Sequence, residues 1–334
     1  MHGMSSVSVA LCTHNGARFL EEQIRSICAQ TLPPDEVLLS DDASADGSVE
    51  LVCRLLDASS GGNAARPIAL RVLRNAQPLG ARANFEQAVR QCRGELIALC
   101  DQDDIWQPHR LRTLVDCMDA RPDLDLVHSD ARLVDAEGQP LGRTLLQGFG
   151  LQPWELARIH AGDALSVLLR RSCVTGATTL FRRRLLEAAL PFPAQWWHDE
   201  WLALIAATVG RMDVVESALI DYRQHGANVI GVPSPVPWLK AMRSALAPGG
   251  SLRRRGRLAR AEVLWQRVQA LGDGVRPERA RRVEELLAHE RLRAGLPQAR
   301  AARLGPVLRE ALAGRYGRFS DGLRSVARDL LVTM

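Results

Sequence analysis

Three acidic side chains, Asp101, Asp103 and Asp104, stand within four residues, in the stretch DQDD directly after the apolar run LIALC. Carboxylates this close together repel one another, and a buried carboxylate is costly without a positive partner. Mg²⁺ and Mn²⁺ prefer oxygen ligands, and Mg²⁺ commonly completes its shell with water and substrate phosphates. The cluster therefore predicts a divalent cation that carries a diphosphate, the alternative being a solvated acidic loop that caps the next helix.

Strands and helices alternate before this cluster. Short apolar runs predict strands over 7–12, 35–40, 68–75 and 95–100, with amphipathic helices between them. This alternation is typical of a parallel sheet covered on both faces, in which ligands bind beyond the carboxyl ends of the strands. The polar stretches THNG, DDASADGS and DQDD each follow a strand, so we expect them to meet in one crevice.

The second half of the chain is less regular. The pattern predicts a strand and turn in 124–139, a small-residue segment leading into a helix in 172–190, a helix ending at Gly210, and a strand from Met212. Three prolines in 231–238 predict a linker. The arginine-rich residues beyond it have the periodicity of amphipathic helices.

Six stretches, in order along the chain, resemble motifs of the inverting family 2 glycosyltransferases: VALCTHNG, LLSDDASADGS, NAQPLGARANFEQA, GELIALCDQDDIWQP, WWHDEW and YRQHGANVIG. The similarity covers residues 6–232 and looks closest to the bacterial rhamnosyltransferase-like branch. It implies the α/β GT-A fold, with a mixed, mostly parallel Rossmann-like sheet flanked by helices and a C-terminal α-helical extension. The expected parts are a nucleotide-sugar-binding half (1–105), an acceptor-binding and catalytic half (106–235) and a basic extension (236–334).

The resemblance also implies roles for residues of the first half. Thr13 and Asn15 would wrap the nucleotide, the alternative being simple turn formation. Asp42 would accept a hydrogen bond from the N3–H of uracil or thymine, which favours a pyrimidine donor. Arg82 would contact phosphate, although a surface arginine is equally consistent, and Asp101 would hold the donor ribose.

The expected metal site combines Asp103 with His225 in the late motif YRQHG. Arg223 in the same motif would contact the donor diphosphate. Asp104 and Trp106 are secondary candidates. An aromatic face can pack against a sugar ring, but core packing is the alternative for the tryptophan.

The stretch WWHDEW supplies the predicted catalytic base. Inverting transfer needs a base for the acceptor hydroxyl, and a metal neutralises the leaving diphosphate, so one carboxylate suffices. The resemblance places this base at Asp199, with His198 orienting it. Glu200 is a rival, because the resembling branch tends to carry an aromatic there. The alternative is that Asp199 only stabilises a helix N-terminus.

Charge is unevenly distributed along the 334 residues: the net charge is −7 over residues 1–239 and +12 over residues 240–334. The basic part favours peripheral contact with an anionic membrane, with a solvated cap or oligomer contact as the alternative. It contains no recognisable nucleic-acid-binding module. The seven cysteines include no C-x-x-C pair, which indicates a reducing cytoplasm rather than a disulfide framework.

These features together predict a cytoplasmic, Mg²⁺- or Mn²⁺-dependent glycosyltransferase, peripheral on the inner face of the bacterial inner membrane. The expected donor is dTDP-rhamnose, and the expected acceptor is a growing surface polysaccharide, such as O-antigen, or a lipid-linked glycan. A UDP-hexose donor, a nucleotidyltransferase and a non-catalytic donor-binding scaffold in polysaccharide assembly are the alternatives.

Overall fold

A computed structural model of the chain describes residues 4–60, 67–226 and 250–331. Its strands are β1 (Val7–Thr13), β2 (Glu36–Asp41), β3 (Ala69–Arg74), β4 (Leu96–Cys100), β5 (Ile105–Trp106), β6 (Leu126–Val134), β7 (Pro140–Thr144), β8 (Thr179–Arg182) and β9 (Met212–Arg223). They form one nine-stranded sheet in the order β3-β2-β1-β4-β8-β6-β9-β5, in which β7 pairs with β6.

Helices cover this sheet and form the C-terminal region. Those up to residue 226 are α1 (Ala17–Cys28), α2 (Ser48–Ser60), α3 (Ala81–Gln91), α4 (Arg110–Ala120), α5 (Leu145–Phe149), α6 (Pro153–His160), α7 (Ala164–Leu168), α8 (Leu185–Ala189) and α9 (His198–Val209). The C-terminal helices are α10 (Gly250–Leu271), α11 (Pro277–Ala294), α12 (Arg300–Leu312), α13 (Arg315–Phe319) and α14 (Leu323–Leu331). No helix within the described ranges is long and apolar enough to span a membrane.

The predicted mixed, mostly parallel α/β sheet is confirmed. Strands β1, β2, β3 and β4 pair in parallel, and β1 lies between β2 and β4. Every residue of β1, β2 and β4 is buried, because helices cover both faces, and this explains their continuous apolar sequences. The carboxyl ends of these three strands meet at one edge, which brings the three polar loops together.

The second half departs from the sequence prediction in one place that matters for the site. The small-residue segment leads into a 3₁₀ turn, Gly176–Thr178, and the short strand β8 before helix α8 begins. A four-residue strand with a threonine and an arginine at its ends gives little periodic signal. The proline-rich stretch 231–238 and the predicted boundary at residue 235 lie outside the described residues.

The C-terminal helices share a core with the sheet domain. Ala261, Leu264 and Val268 of α10 belong to the same buried apolar cluster as Trp201 and Leu204 of α9. Ion pairs among buried side chains join the C-terminal helices to one another. The carboxylate of Asp329 accepts hydrogen bonds from Arg254 at 3.1 Å, Arg293 at 2.7 Å and Tyr316 at 2.9 Å. Part of the basic charge of the C-terminal region is therefore neutralised inside the fold.

Candidate active site

A cavity of about 490 Å³ lies beyond the carboxyl ends of β1, β2 and β4. Its polar lining comprises Thr13, His14, Asp42, Asn84, Asp101, Gln102, Asp103, Ser172, Thr175, His198, Asp199, Glu200 and Tyr222. The two sequence motifs that were expected to carry the chemistry, DQDD and WWHDEW, therefore face one space. Gln102, Thr175 and Tyr222 were not predicted, because nothing in their local sequence distinguishes them from turn and strand residues.

Asp42 shapes one wall of the cavity through the loop before α3. Its carboxylate accepts hydrogen bonds from the backbone N–H groups of Leu79 at 2.7 Å and Gly80 at 2.8 Å, and from the Asn75 side chain at 3.0 Å. Gly80 has a φ of 84°, a conformation that favours glycine. A carboxylate can accept about four hydrogen bonds, so Asp42 retains capacity for a ligand donor.

The other residues of the first half that were predicted to bind the nucleotide-sugar donor divide into two groups. Thr13 lines the cavity, and its hydroxyl donates to Asp41 at 2.8 Å. Asn15 has a φ of 49°, and its side-chain oxygen accepts from the Ala45 backbone at 2.9 Å. Neither Asn15 nor Arg82 lines the cavity. Asn15 thus takes the alternative role of forming the turn, and Arg82 is a partly exposed residue of the first turn of α3.

The DQDD loop presents Asp101 and Asp103 to the cavity and turns Asp104 away from it. Burial, together with the charges of Asp103 and Asp199, raises the pKa of Asp101 to about 8. Asp104 accepts from the Arg223 backbone at 3.1 Å, while its second oxygen has no partner among the described residues. Burial raises the pKa of Asp104 well above its usual range, and this residue does not line the cavity.

A buried arginine beneath the loop was missed by the sequence analysis. Arg110 is fully buried in the first turn of α4, and its guanidinium carbon lies 3.7 Å from the centre of the Trp106 ring. Burial lowers the pKa of Arg110 to about 10, against the opposing charges of Cys100 and Asp104. Trp106 is itself only 2% exposed, so it belongs to the core and is not a platform for a sugar.

The late motif contributes one residue beside the proposed metal site and one structural residue. The Nε2 atom of His225 lies 2.7 Å from the Asp103 carboxylate, and its ring stacks on Phe19. Arg223 is buried and does not line the cavity. Its side chain donates to the Asp103 carbonyl at 2.9 Å and pairs with Glu22. Arg223 therefore fixes the DQDD backbone, and its predicted contact with the donor diphosphate stays a prediction.

The donor set at this loop fits a hard divalent cation that binds together with a ligand. Within the described ranges, no three His, Cys, Asp or Glu side chains form a closed metal site. Asp101 and Asp103 supply carboxylate oxygens to an open cavity, and a bound cation would relieve the repulsion between their charges. Mg²⁺ and Mn²⁺ suit oxygen donors, and Mg²⁺ usually takes about one or two protein carboxylates.

Asp199 lies in the first turn of α9 and is held from two sides. Its Oδ2 accepts from the backbone N–H of Gly176 at 2.9 Å, and its Oδ1 accepts from the N–H of Glu200 at 2.8 Å. A side chain at Gly176 would bring a Cβ within 3.1 Å of His198, so glycine permits this close approach. Gly176 precedes Asp199 by 23 residues, and local sequence reasoning did not connect the two.

Glu200, the rival base, is committed to another partner. Its carboxylate accepts from Arg260 of α10 at 2.6 Å, and the Arg260 guanidinium also covers the ring of Trp196. Burial raises the pKa of Glu200 despite the nearby arginine charge. Asp199 accepts hydrogen bonds from two backbone amides and has no cationic partner among the described residues, so it stays the predicted base.

His198 is not positioned to orient Asp199 as expected. Its ring stacks on Phe85 at a centroid distance of 4.0 Å, and neither ring nitrogen has a hydrogen-bond partner among the described residues. Burial lowers the pKa of His198, so the imidazole is neutral at pH 7. Both ring nitrogens are themselves buried, so the imidazole packs in the cavity wall and presents neither a donor nor an acceptor to the cavity.

Replacing His198 with Phe tests this packing role. The substitution keeps the stacking on Phe85 and removes two buried polar atoms that lack partners within the described structure, so we expect an unchanged or higher melting temperature. Because the ring nitrogens do not reach the cavity, we expect kcat/KM and nucleotide affinity close to those of wild type. Thermal melts and steady-state kinetics on wild type, H198F and H198N provide the measurement. A fall in kcat/KM of about 10-fold or more in H198F, at an unchanged melting temperature, would show instead that the imidazole contacts substrate.

Comparisons with known proteins agree with this geometry. The profile of glycosyl transferase family 2 matches residues 8–190, more than half of the chain. The uncharacterized glycosyltransferase alr2836 of Nostoc sp. is 27% identical over 229 residues, which are 66% of each chain. The dTDP-rhamnosyl transferase RfbG of Shigella flexneri is 29% identical over 112 residues, 32% of this chain and 36% of RfbG.

A solved structure shows the same fold. The mannosyltransferase PcManGT from Pyrobaculum calidifontis, in complex with GDP-Man and Mn²⁺, superposes with a TM-score of 0.53 at 21% identity, covering 94% of this chain and 77% of PcManGT. The matched region is 60–66% of the length of the first curated relatives. The family match establishes that the chain belongs to glycosyl transferase family 2, and its fold is the GT-A fold.

Proposed function

We propose that this chain is a metal-dependent, inverting glycosyltransferase that moves rhamnose from dTDP-rhamnose to a growing cell-surface polysaccharide or lipid-linked glycan. The observation that carries the proposal is that the carboxylates of Asp101 and Asp103 and that of Asp199 line one cavity. The first pair suits a donor diphosphate with its cation, and the third carboxylate is free of cationic partners among the described contacts. On this proposal the enzyme works at the cytoplasmic face of the membrane that carries its acceptor.

In the proposed reaction, the acceptor oxygen attacks the anomeric carbon from the face opposite the diphosphate. The new glycosidic C–O bond forms as the bond between the anomeric carbon and the phosphate oxygen breaks, and that electron pair leaves with the diphosphate. The acceptor proton passes to Asp199, which the Gly176 N–H holds in place. A cation held by Asp103 and Asp101, with His225 against Asp103, would neutralise the leaving group when bound.

The nucleobase of the proposed donor is assigned from Asp42 and from one relative. A carboxylate at Asp42 suits the N3–H of thymine or uracil, and the partial similarity to RfbG, whose name specifies dTDP-rhamnose, supports thymine. A UDP-hexose is the alternative donor, because both pyrimidines present the same N3–H group.

A second cavity supports a route for the acceptor. It has a volume of about 280 Å³ and shares Ser172 and Glu200 with the first cavity. Arg257 and Arg260 line it, and guanidinium groups can donate hydrogen bonds to the hydroxyls of a sugar. We therefore place the acceptor glycan between α9 and α10, with its reactive hydroxyl toward Asp199.

Calorimetric titration tests the donor assignment. We expect one pyrimidine diphosphate among dTDP, UDP, GDP and ADP to bind wild type in the presence of Mn²⁺, and binding to weaken at least about 10-fold without the metal. The same titration into D103A should show no effect of Mn²⁺. Tight binding of a purine diphosphate would overturn the assignment of Asp42. Binding unaffected by the metal in wild type would overturn the proposed cation site.

A further inference from the structure

Helix α12 points its leucines toward solvent. Leu304, Leu308 and Leu312 are spaced four residues apart and share one face, where they are 50%, 50% and 88% exposed. The opposite face carries Arg303, Val307 and Glu310, which are 0%, 0% and 5% exposed. An ordinary surface helix turns most of its large apolar side chains toward the core, whereas α12 buries Val307 and leaves its three leucines exposed.

Helix α14 has the same inverted arrangement. Leu323 and Leu331 are 85% and 54% exposed, and Ala327 between them is also exposed. The buried residues of α14 are polar, Ser325 and Asp329, both 0% exposed. Two C-terminal helices, α12 and α14, thus direct leucines toward solvent, although both helices are amphipathic.

Internal hydrogen bonds fix this orientation. Arg303 of α12 donates to the Asp329 carbonyl of α14 at 3.1 Å, and this bond joins the two helices. Glu310 accepts from His289 at 2.7 Å and from Arg315 at 2.6 Å, and both hydrogen bonds hold the polar face of α12 inward. Rotating α12 to bury its leucines would break these hydrogen bonds, and Arg303 and Glu310 would lose the partners that they have inside the fold. The outward leucine face is therefore built into the packing.

The charge around this face is positive. Arg300, Arg309 and Arg324 are exposed and make no ion pair with any described residue. Over residues 296–331, all of which are described, the one exposed acidic residue is Asp321, since Glu310 and Asp329 are buried. Arg309 lies one residue after Leu308, and Arg324 lies one residue after Leu323. Arginine stems can lie along apolar surface while their guanidinium groups reach phosphate.

We propose that the leucine face of α12, defined as Leu304, Leu308 and Leu312, inserts into the interface of a bilayer that contains anionic phospholipid. The exposed arginines at its edge then contact the headgroups, as in other interfacial amphipathic helices. A second copy of the chain is a weaker occupant, because an isologous contact would place these arginines against their own counterparts. The proposal goes beyond the proposed function, since it requires neither donor nor acceptor.

Vesicle co-sedimentation of the full chain tests the proposal. We expect wild type to bind phosphatidylcholine vesicles that contain phosphatidylglycerol and to leave pure phosphatidylcholine vesicles largely unbound. Substituting Leu304, Leu308 and Leu312 together with Ser should lower the partition coefficient at least about 10-fold. The double variant R300Q/R309Q, at the two exposed arginines of α12, should lower it by about 5-fold for each arginine. The double variant L141S/R54Q is the matched control, because it removes one exposed leucine and one exposed arginine elsewhere and should bind as wild type.

Three outcomes would overturn the proposal. Unchanged vesicle binding of the triple serine variant would show that the leucine face is not inserted. Equal binding to neutral vesicles would remove the role of the arginines. Light scattering that shows a dimer in wild type and a monomer in the triple variant, with no vesicle binding by either, would assign the face to a second copy. The single variant L312S, at a site that is 88% exposed, repeats the test with the least disturbance of folding.

Discussion

Asp199→Asn should abolish sugar transfer and leave donor binding nearly intact. The amide keeps the shape of the side chain and can still accept the Gly176 N–H, but it cannot take the acceptor proton. Loss of a general base costs about 10²–10⁴ in rate, so we expect kcat to fall at least about 1000-fold. Initial rates of nucleotide diphosphate release, set beside calorimetric titration of the donor nucleotide, separate the two effects.

Glu200→Gln is the matched control, one residue away in the same helix turn. Its carboxylate is paired with Arg260, so the amide should lower kcat far less than the change at Asp199. A reversed order, with E200Q inactive and D199N active, would assign the base to Glu200. Donor binding by wild type without any turnover, on acceptors that relatives use, would favour the donor-binding scaffold.

Asp103→Ala should remove the response of the protein to metal and nucleotide together. A ligand at about 100 times its Kd stabilises the folded state by about 2.7 kcal/mol, which raises the melting temperature of a chain of this size by about 5 °C or more. We expect that rise for wild type with Mn²⁺ and the preferred diphosphate, and none for D103A. Thermal melts with and without both ligands give the result.

Asp104→Asn supplies the control for this measurement. Asp104 neighbours Asp103 in the chain but faces away from the cavity, and burial already raises the pKa of its carboxyl. The D104N variant should keep the full rise in melting temperature. Loss of the response in D104N and its survival in D103A would exchange the roles that we assign to the two residues.

Sequence patterns predicted the strands that position the site, because these elements depend on local periodicity. The apolar runs of β1, β2 and β4 are long enough to recognise, and a parallel sheet forces the loops after them to one edge. The same reasoning could not separate Asp103 from Asp104. Which of two adjacent carboxylates faces a cavity depends on the backbone path of the loop, and that path is fixed here by Arg223, far along the chain.

Where the structure places a side chain differently from what the sequence indicates, a residue far along the chain determines its position. Arg223 resembles a diphosphate ligand in its motif, but Glu22 and the Asp103 carbonyl occupy its guanidinium. The basic composition of the extension did not reveal that Arg254 and Arg293 are buried against Asp329. Composition gives the total number of charged side chains, whereas the charge of the protein surface depends on which of them are paired in the interior.

The contact between Glu200 and Arg260 also has an evolutionary consequence. Sixty positions separate the two residues, yet they form an ion pair in which the Glu200 side chain is 17% exposed and that of Arg260 is 35% exposed. A substitution of Arg260 would leave the Glu200 carboxylate without this cationic partner next to the proposed base. The two positions should therefore change together among homologous sequences, so that homologues with an aromatic residue in place of Glu200 dispense with the arginine as well.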